Sequence, residues 1–133
     1  MDRAILLLRD LRRAVDRLQE ALSQPESEYL RDACIQRFEF CFELAWKGIQ
    51  AVARRYGQDC PSPRAALSVA FRNGWLSDEA TWVAMLETRN LTSHTYREPL
   101  ALDVYRALPG FAVALDALVE ELERRLDQAA TLT

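Results

Sequence analysis

Arg31-Asp32-Ala33-Cys34-Ile35-Gln36-Arg37-Phe38-Glu39-Phe40-Cys41-Phe42-Glu43-Leu44-Ala45-Trp46-Lys47 is the stretch whose reading decides the fold. Carried on to Tyr56, its apolar residues Ile35, Phe38, Phe42, Ala45, Ile49, Val52 and Tyr56 recur every three or four positions, the period of a helix face. Phe40, Leu44 and Trp46 lie off that seam and widen it. A helix that is apolar over more than one stripe is central to its domain or faces a second protein. Ser27 with Glu28 can start this helix, and Gly57 ends it before the loop GQDCPSP. At the helical rise, about 30 residues span roughly 45 Å.

Working outward, Ala4, Leu7, Leu11, Val15, Leu18 and Leu22 form one stripe of a helix from about residue 2 to 23, closed by Gln24-Pro25. Downstream, Ser62-Pro63 opens a short helix that Asn73-Gly74 breaks. Ser77 caps the next, with Asp78 and Glu79 in its first turn and Trp82, Met85 and Leu86 on its core side. That helix runs into ETRNLTSHTYREP, and Pro99 limits it. The last segment, about 99 to 128, repeats Leu108, Phe111, Leu115, Leu118, Leu122 and Leu126, and Pro109-Gly110 is expected to kink or split it. No segment alternates with period two over a strand's length. The expectation is all-α: an up-and-down bundle of four to five helices, one domain over residues 1–133 with its core at about 2–127.

Half of the 133 residues are apolar and 28% are charged, an ordinary globular balance. The formal net charge is -3, whereas proteins that coat long duplex DNA carry a basic surplus, so any nucleic-acid contact is local. The three cysteines cannot complete a disulfide framework, and none has metal-ligand spacing with a histidine. Cys34 and Cys41 read as core, which implies a reducing compartment. No apolar run approaches the roughly 20 residues of a membrane span, and no cleavage signal follows MDRAILLLRDLRR, so a cytoplasmic protein is expected. Acidic residues are spread along helices rather than gathered as metal ligands, so the chain lacks the carboxylate set of a nucleotidyltransferase and no cofactor is expected.

The sole histidine, His94, stands in Arg89-Asn90-Leu91-Thr92-Ser93-His94-Thr95-Tyr96. Histidine holds or releases a proton near neutral pH, and arginine offers a rigid charged fork suited to phosphate. Asn90 lies four residues before His94, so a helix puts both on one face, where the amide can orient the imidazole. Arg with His is a sensible kit for cleaving RNA without a metal. The bland alternative is a helix end with a capping histidine and a surface arginine. Transesterification benefits from a base and an acid, yet each chain offers one histidine; a nuclease reading therefore needs a two-fold dimer. Phe38, Phe40, Phe42 and Trp46 could stack bases, although helical spacing favours core or interface. Arg12-Arg13, Arg54-Arg55 and Arg124-Arg125 read as solvated faces.

The stretch 31–47, the motif Glu87 to Tyr96 and Ser62-Pro63-Arg64 between them together resemble the nucleotidyltransferase substrate-binding subunit family, a branch of the HEPN superfamily. Order, spacing and helix count agree over about residues 1–127. The resemblance implies a helical bundle that dimerises and a neighbouring minimal nucleotidyltransferase as partner. In related HEPN toxins an Arg-x4-His-x-Tyr pattern is the ribonuclease motif. Arg89 and His94 match its catalytic positions, and Tyr96 matches the tyrosine that the partner adenylylates to silence the toxin. The implied function is the toxin of a toxin–antitoxin pair, a metal-independent endoribonuclease acting on RNA. A non-catalytic subunit that presents a substrate to the nucleotidyltransferase, or a plain helical interaction module, are the alternatives.

Overall fold

A computed structural model describes residues 2–95 and 97–131. Among these the elements are α1 (Arg3–Leu22), α2 (Glu28–Arg55), α3 (Pro63–Arg72), α4 (Glu79–Leu91), a 3₁₀ turn (Thr92–His94) and α5 (Glu98–Ala130). The helix starts follow local chemistry. Ser27 Oγ accepts the Leu30 N–H at 3.1 Å, and Ser62 Oγ accepts the Ala65 N–H at 3.2 Å with Pro63 leading the first turn. At α4 the cap is Asp78 rather than the expected Ser77: its carboxylate accepts from Thr81 N at 3.1 Å and from Thr81 Oγ1 at 2.5 Å. These bonds hold the Asp78 carboxyl below the usual carboxylate range. Gly57 and Gly74 take φ of 73°, the left-handed region that ends α2 and α3 without steric conflict.

α2 is the centre of the bundle. Ile35, Phe38, Phe42, Ala45, Ile49 and Val52 are all buried, as the seam requires. Cys34, Cys41, Gly48, Ala51 and Ala53 extend the buried surface round the helix, which packs against α1, α3, α4 and α5. Phe38 stacks on Phe111 of α5 with ring centroids 5.5 Å apart. Tyr56 leaves the seam half-buried and donates its hydroxyl to the Arg125 carbonyl at 2.6 Å, pinning the far end of α5. Burial pushes the Cys41 thiol up to about 12, so it stays a neutral core group. On α1 the buried stripe runs through Leu8 rather than Leu7.

Two expectations are corrected. Pro109 does not split the last segment: α5 is one 33-residue helix. Proline removes a single ladder bond, while Leu108, Phe111, Leu115, Leu118 and Leu122 are buried on either side of it, and that burial outweighs the local penalty. The arginine doublets are not merely solvated either. Arg12 bridges to Asp116 of α5 at 2.5 Å, Arg55 pairs with Asp2, and Arg125 pairs with Glu121 at 2.6 Å.

Close packing at the centre is set by Gly48. A Cβ added there would meet Leu8 Cδ2 at 3.3 Å and Leu122 Cδ1 at 3.4 Å, whereas Gly110 in α5 has nothing within 4 Å. Gly48→Val should therefore destabilise the fold by about 1–3 kcal/mol through overpacking. Gly110→Ala should stabilise it by about 0.5–1 kcal/mol through helix propensity. Urea unfolding of both variants checks the contrast, and equal effects would contradict it.

Candidate functional site

The carboxyl end of α4 is built from threonine hydroxyls. Thr92 is buried; its hydroxyl donates to the Arg89 carbonyl at 2.8 Å, and its own N–H turns to the same carbonyl. The Thr95 hydroxyl donates to the Thr92 carbonyl at 3.1 Å, and the Arg97 N–H to the His94 carbonyl at 3.2 Å. Bonds reaching three residues back satisfy carbonyls that a helix end leaves open, and they tighten the chain into the 3₁₀ turn. α5 then starts at Glu98 with proline in its first turn.

Arg89 sits half-buried in the last turn of α4. Its Nε is buried without a hydrogen-bond partner, and it forms no ion pair with a described residue. Trp46 Nε1 is the other buried side-chain donor left open among the described residues. An unsatisfied buried donor costs about 1–3 kcal/mol, and more when charged. The α4 carbonyl end offsets part of that for a cation. His94 is exposed at the end of the 3₁₀ turn, and Asn90 is exposed in the last turn of α4. The α-helix on which Asn90 and His94 were expected to share a face ends at Leu91, before His94. Thr92, Ser93 and His94 are wound at three residues per turn, so each step turns about 20° further than in an α-helix. Tyr96 lies outside the described residues.

One long-range contact at this corner has no sequence signal. Arg31, with its side chain only 16% exposed, donates to Glu26 at 3.0 Å and to Glu98 at 2.9 Å. It thus ties the loop before α2 to the start of α5, just past His94. Its partner is 67 residues away, beyond any helical spacing rule. Nearby Tyr105 is half-buried, and desolvation, then the Glu26 carboxylate, push its phenol up.

Neither Arg89 nor His94 lines either of two large clefts. One, about 880 Å³, runs between α1 and α5 beside Leu8, Arg12 and Leu126; the other, about 450 Å³, lies beside Trp75, Trp82 and Gly110. The candidate residues stand on an open corner, which suits a polymer or a partner surface better than an enclosed small molecule. Of the proposed stacking aromatics, Phe38 and Phe42 are buried, Trp46 is half-buried, and Phe40 is 56% exposed. No three His, Cys, Asp or Glu side chains converge as metal ligands among the described residues, and none of the described helices is long and apolar enough to cross a membrane.

Residues 6–124 match a family described as nucleotidyltransferase substrate binding protein like. A protein of Haemophilus influenzae named probable ribonuclease HepT is 34% identical over 99 residues, 68% of this chain. The match spans 66% of that relative, just under two thirds of its length. The fold is shared with a solved structure from Thermus thermophilus at a TM-score of 0.80 and 37% identity, covering 84% of this chain and 98% of the other. It is shared also with a Haemophilus influenzae structure described as the fold of a substrate binding domain of a nucleotidyltransferase. There the TM-score is 0.73 and the identity 27%, over 87% of this chain and 98% of the other.

The Arg31 tie is open to a direct test. Arg31→Met should speed amide hydrogen exchange in the first turn of α5 while the amides of α2 around Ile49 keep their protection, and Glu98→Gln should do the same more weakly. Unchanged exchange at residues 101–104 in both variants would show that the tie does not hold the corner.

Proposed function

This chain belongs to the nucleotidyltransferase substrate binding protein like family, and from that membership we propose that it is the partner subunit of a minimal nucleotidyltransferase and the toxin of a toxin–antitoxin pair. In this reading it is a metal-independent endoribonuclease of the HEPN type, working in the cytoplasm as a homodimer. The observation that carries the reading is Arg89: a half-buried guanidinium with an open donor, in the turn just before an exposed His94. A cation kept without a carboxylate is suited to an anion that arrives from outside.

The chemistry follows from the two side chains. His94 removes the proton from a ribose 2′-OH, and that oxygen attacks the adjacent phosphorus. Arg89 stabilises the charge that builds on the phosphoryl oxygens. The bond to the 5′-oxygen breaks, a protonated imidazole supplies the leaving oxygen's proton, and the products are a 2′,3′-cyclic phosphate and a free 5′-hydroxyl. With one histidine per chain, the acid is His94 of a second copy, so the site is composite across a two-fold interface built from parts of α2 and α4. Asn90 serves as a supporting polar group. Tyr96 is the residue proposed for nucleotidylylation by the partner: an added phosphate beside Arg89 would occupy the charge meant for RNA and repel the incoming backbone. The open corner, which belongs to neither large cleft, also fits the second reading, a non-catalytic subunit that presents a substrate to the nucleotidyltransferase.

Purified chain should cleave end-labelled RNA in the presence of EDTA. Arg89→Ala and His94→Ala should each lower the rate by about 10²–10⁴-fold with the helical circular dichroism unchanged. Full activity of His94→Ala, or loss of activity on chelation, would refute the mechanism and leave the presenting subunit. Light scattering should give a dimer, and a lone 15.2 kDa species at micromolar concentration would contradict the composite site. Incubated with the nucleotidyltransferase, ATP and magnesium, the chain should gain AMP mass increments that Tyr96→Phe does not.

A further inference from the structure

The α1–α2 face gathers cations that the ion-pair network leaves alone. Arg13 and Arg17 stand four residues apart on the exposed side of α1, and Arg37 and Phe40 stand across from them on α2. Two shallow clefts of about 250 and 230 Å³ lie here, and Arg17 and Arg37 line both. None of Arg13, Arg17 and Arg37 forms an ion pair with a described residue, whereas Arg12, Arg31, Arg55, Arg124 and Arg125 all do. The first cleft has one acidic group, Asp10, against three guanidinium groups, and the second has Glu20 against two. In a chain of net charge -3 this is a local positive excess.

Phe40 gives the patch its second property. It is 56% exposed, while Phe38 and Phe42 beside it in sequence are buried. A phenyl ring open to solvent between arginines offers a flat surface to any base, and the arginines offer forks to the phosphates on either side. We propose that this face binds single-stranded RNA: Arg13, Arg17 and Arg37 hold the backbone and Phe40 stacks under a base. The proposal rests on the RNA reading given above and extends it to a second contact away from the cleaving residues.

Three considerations favour RNA over other occupants. A second copy seated here would oppose one arginine-rich cluster to another of the same sign. An acidic protein segment would satisfy the arginines without using the exposed ring face. The patch also lies at the appropriate end of the bundle. Arg37 follows Arg31 by six residues, about 9 Å of helical rise, and Arg31 holds the start of α5 beside the 3₁₀ turn. A short strand leaving His94 reaches this face by passing about a third of a turn round α2.

The test uses the full chain carrying His94→Ala, so that RNA survives the measurement, and a fluorescent 12-nucleotide single-stranded RNA read by anisotropy. The triple change Arg13→Ala, Arg17→Ala, Arg37→Ala should weaken binding by at least about 30-fold. It should also reduce the slope of log affinity against log salt by about 2, near 0.7 for each lost phosphate contact. Phe40→Ala should weaken binding about five- to a hundredfold, Phe40→Leu similarly, and Phe40→Trp should bind with its fluorescence quenched. Thermal midpoints equal to the parent's keep the comparison about binding. Affinities within twofold of the parent for both the triple variant and Phe40→Ala would overturn the proposal, as would a parent that binds no RNA. Cleavage by wild type with patch-independent binding sinks this inference alone. Patch-dependent binding with no cleavage sinks the nuclease reading and leaves the patch standing. Normal RNA binding with lost co-elution of the nucleotidyltransferase would make the face a protein dock and overturn the RNA assignment.

Discussion

The absence of a side chain at Gly48 lets three long helices meet. Leu8 of α1 and Leu122 of α5 occupy the space that a Cβ would contest, at 3.3 and 3.4 Å. Helix glycine costs about 1 kcal/mol in propensity, and here the return is close approach of α1 and α5 to the same turn of α2. With both neighbours seated, α2 buries most of its circumference, and the stacked pair Phe38–Phe111 fixes the register of α5 against it. Arg31 then reaches Glu98, and Tyr56 reaches the Arg125 carbonyl, so α5 is held near both of its ends by α2. The connection from α4 has to close onto that fixed start. It does so through a 3₁₀ turn in which Thr92 and Thr95 hydroxyls bond main-chain carbonyls.

That turn accounts for the two properties of the candidate corner. After Leu91 the winding tightens to three residues per turn, and His94 at its end is exposed, as Asn90 is. Arg89, one turn earlier, is left where packing covers its Nε but supplies no acceptor. Buried open donors are rare because they are destabilising, and they concentrate where a ligand or partner completes them. The corner is thus less stable than it would be with a carboxylate beside Arg89, and a group from outside can recover the difference.

The parts legible in sequence are those governed by neighbours in the chain. Ser27 and Ser62 cap helices because each hydroxyl reaches an N–H three residues on, and Gly57 and Gly74 end helices because the left-handed turn needs them. The seam of α2 was readable because burial follows a fixed angular period. The rest was decided by distant groups. Nothing near Pro109 announces that α5 continues through it; the decision rests on the leucines that α2 and α1 bury. Arg12 read as a solvated residue because Asp116 stands 104 positions away. The Arg89–His94 motif was legible as a spacing, but the change from α-helix to 3₁₀ turn inside it involves threonine hydroxyls that bond carbonyls rather than water. Asp78 displaced Ser77 as a cap because a carboxylate can accept from the Thr81 N–H and hydroxyl together.

Net charge is a poor guide to local charge, because some arginines are paired and others are not. Arg12, Arg31 and Arg55 reach carboxylates on other segments and tie helices together, while Arg124 and Arg125 share Glu121 within α5. Arg13, Arg17 and Arg37 on one face and Arg89 at the corner form no ion pair with a described residue. These lie toward the end of the bundle where α1 finishes, α2 starts and α4 turns into α5, with Asp10 and Glu20 in the same clefts as the first three. Further carboxylates, Asp16, Glu120 and Glu123, stand along the outer sides of α1 and α5. On the RNA reading proposed above, such a chain would repel a long polyanion as a whole and accept a short strand at one end, and so would avoid capture by bulk nucleic acid.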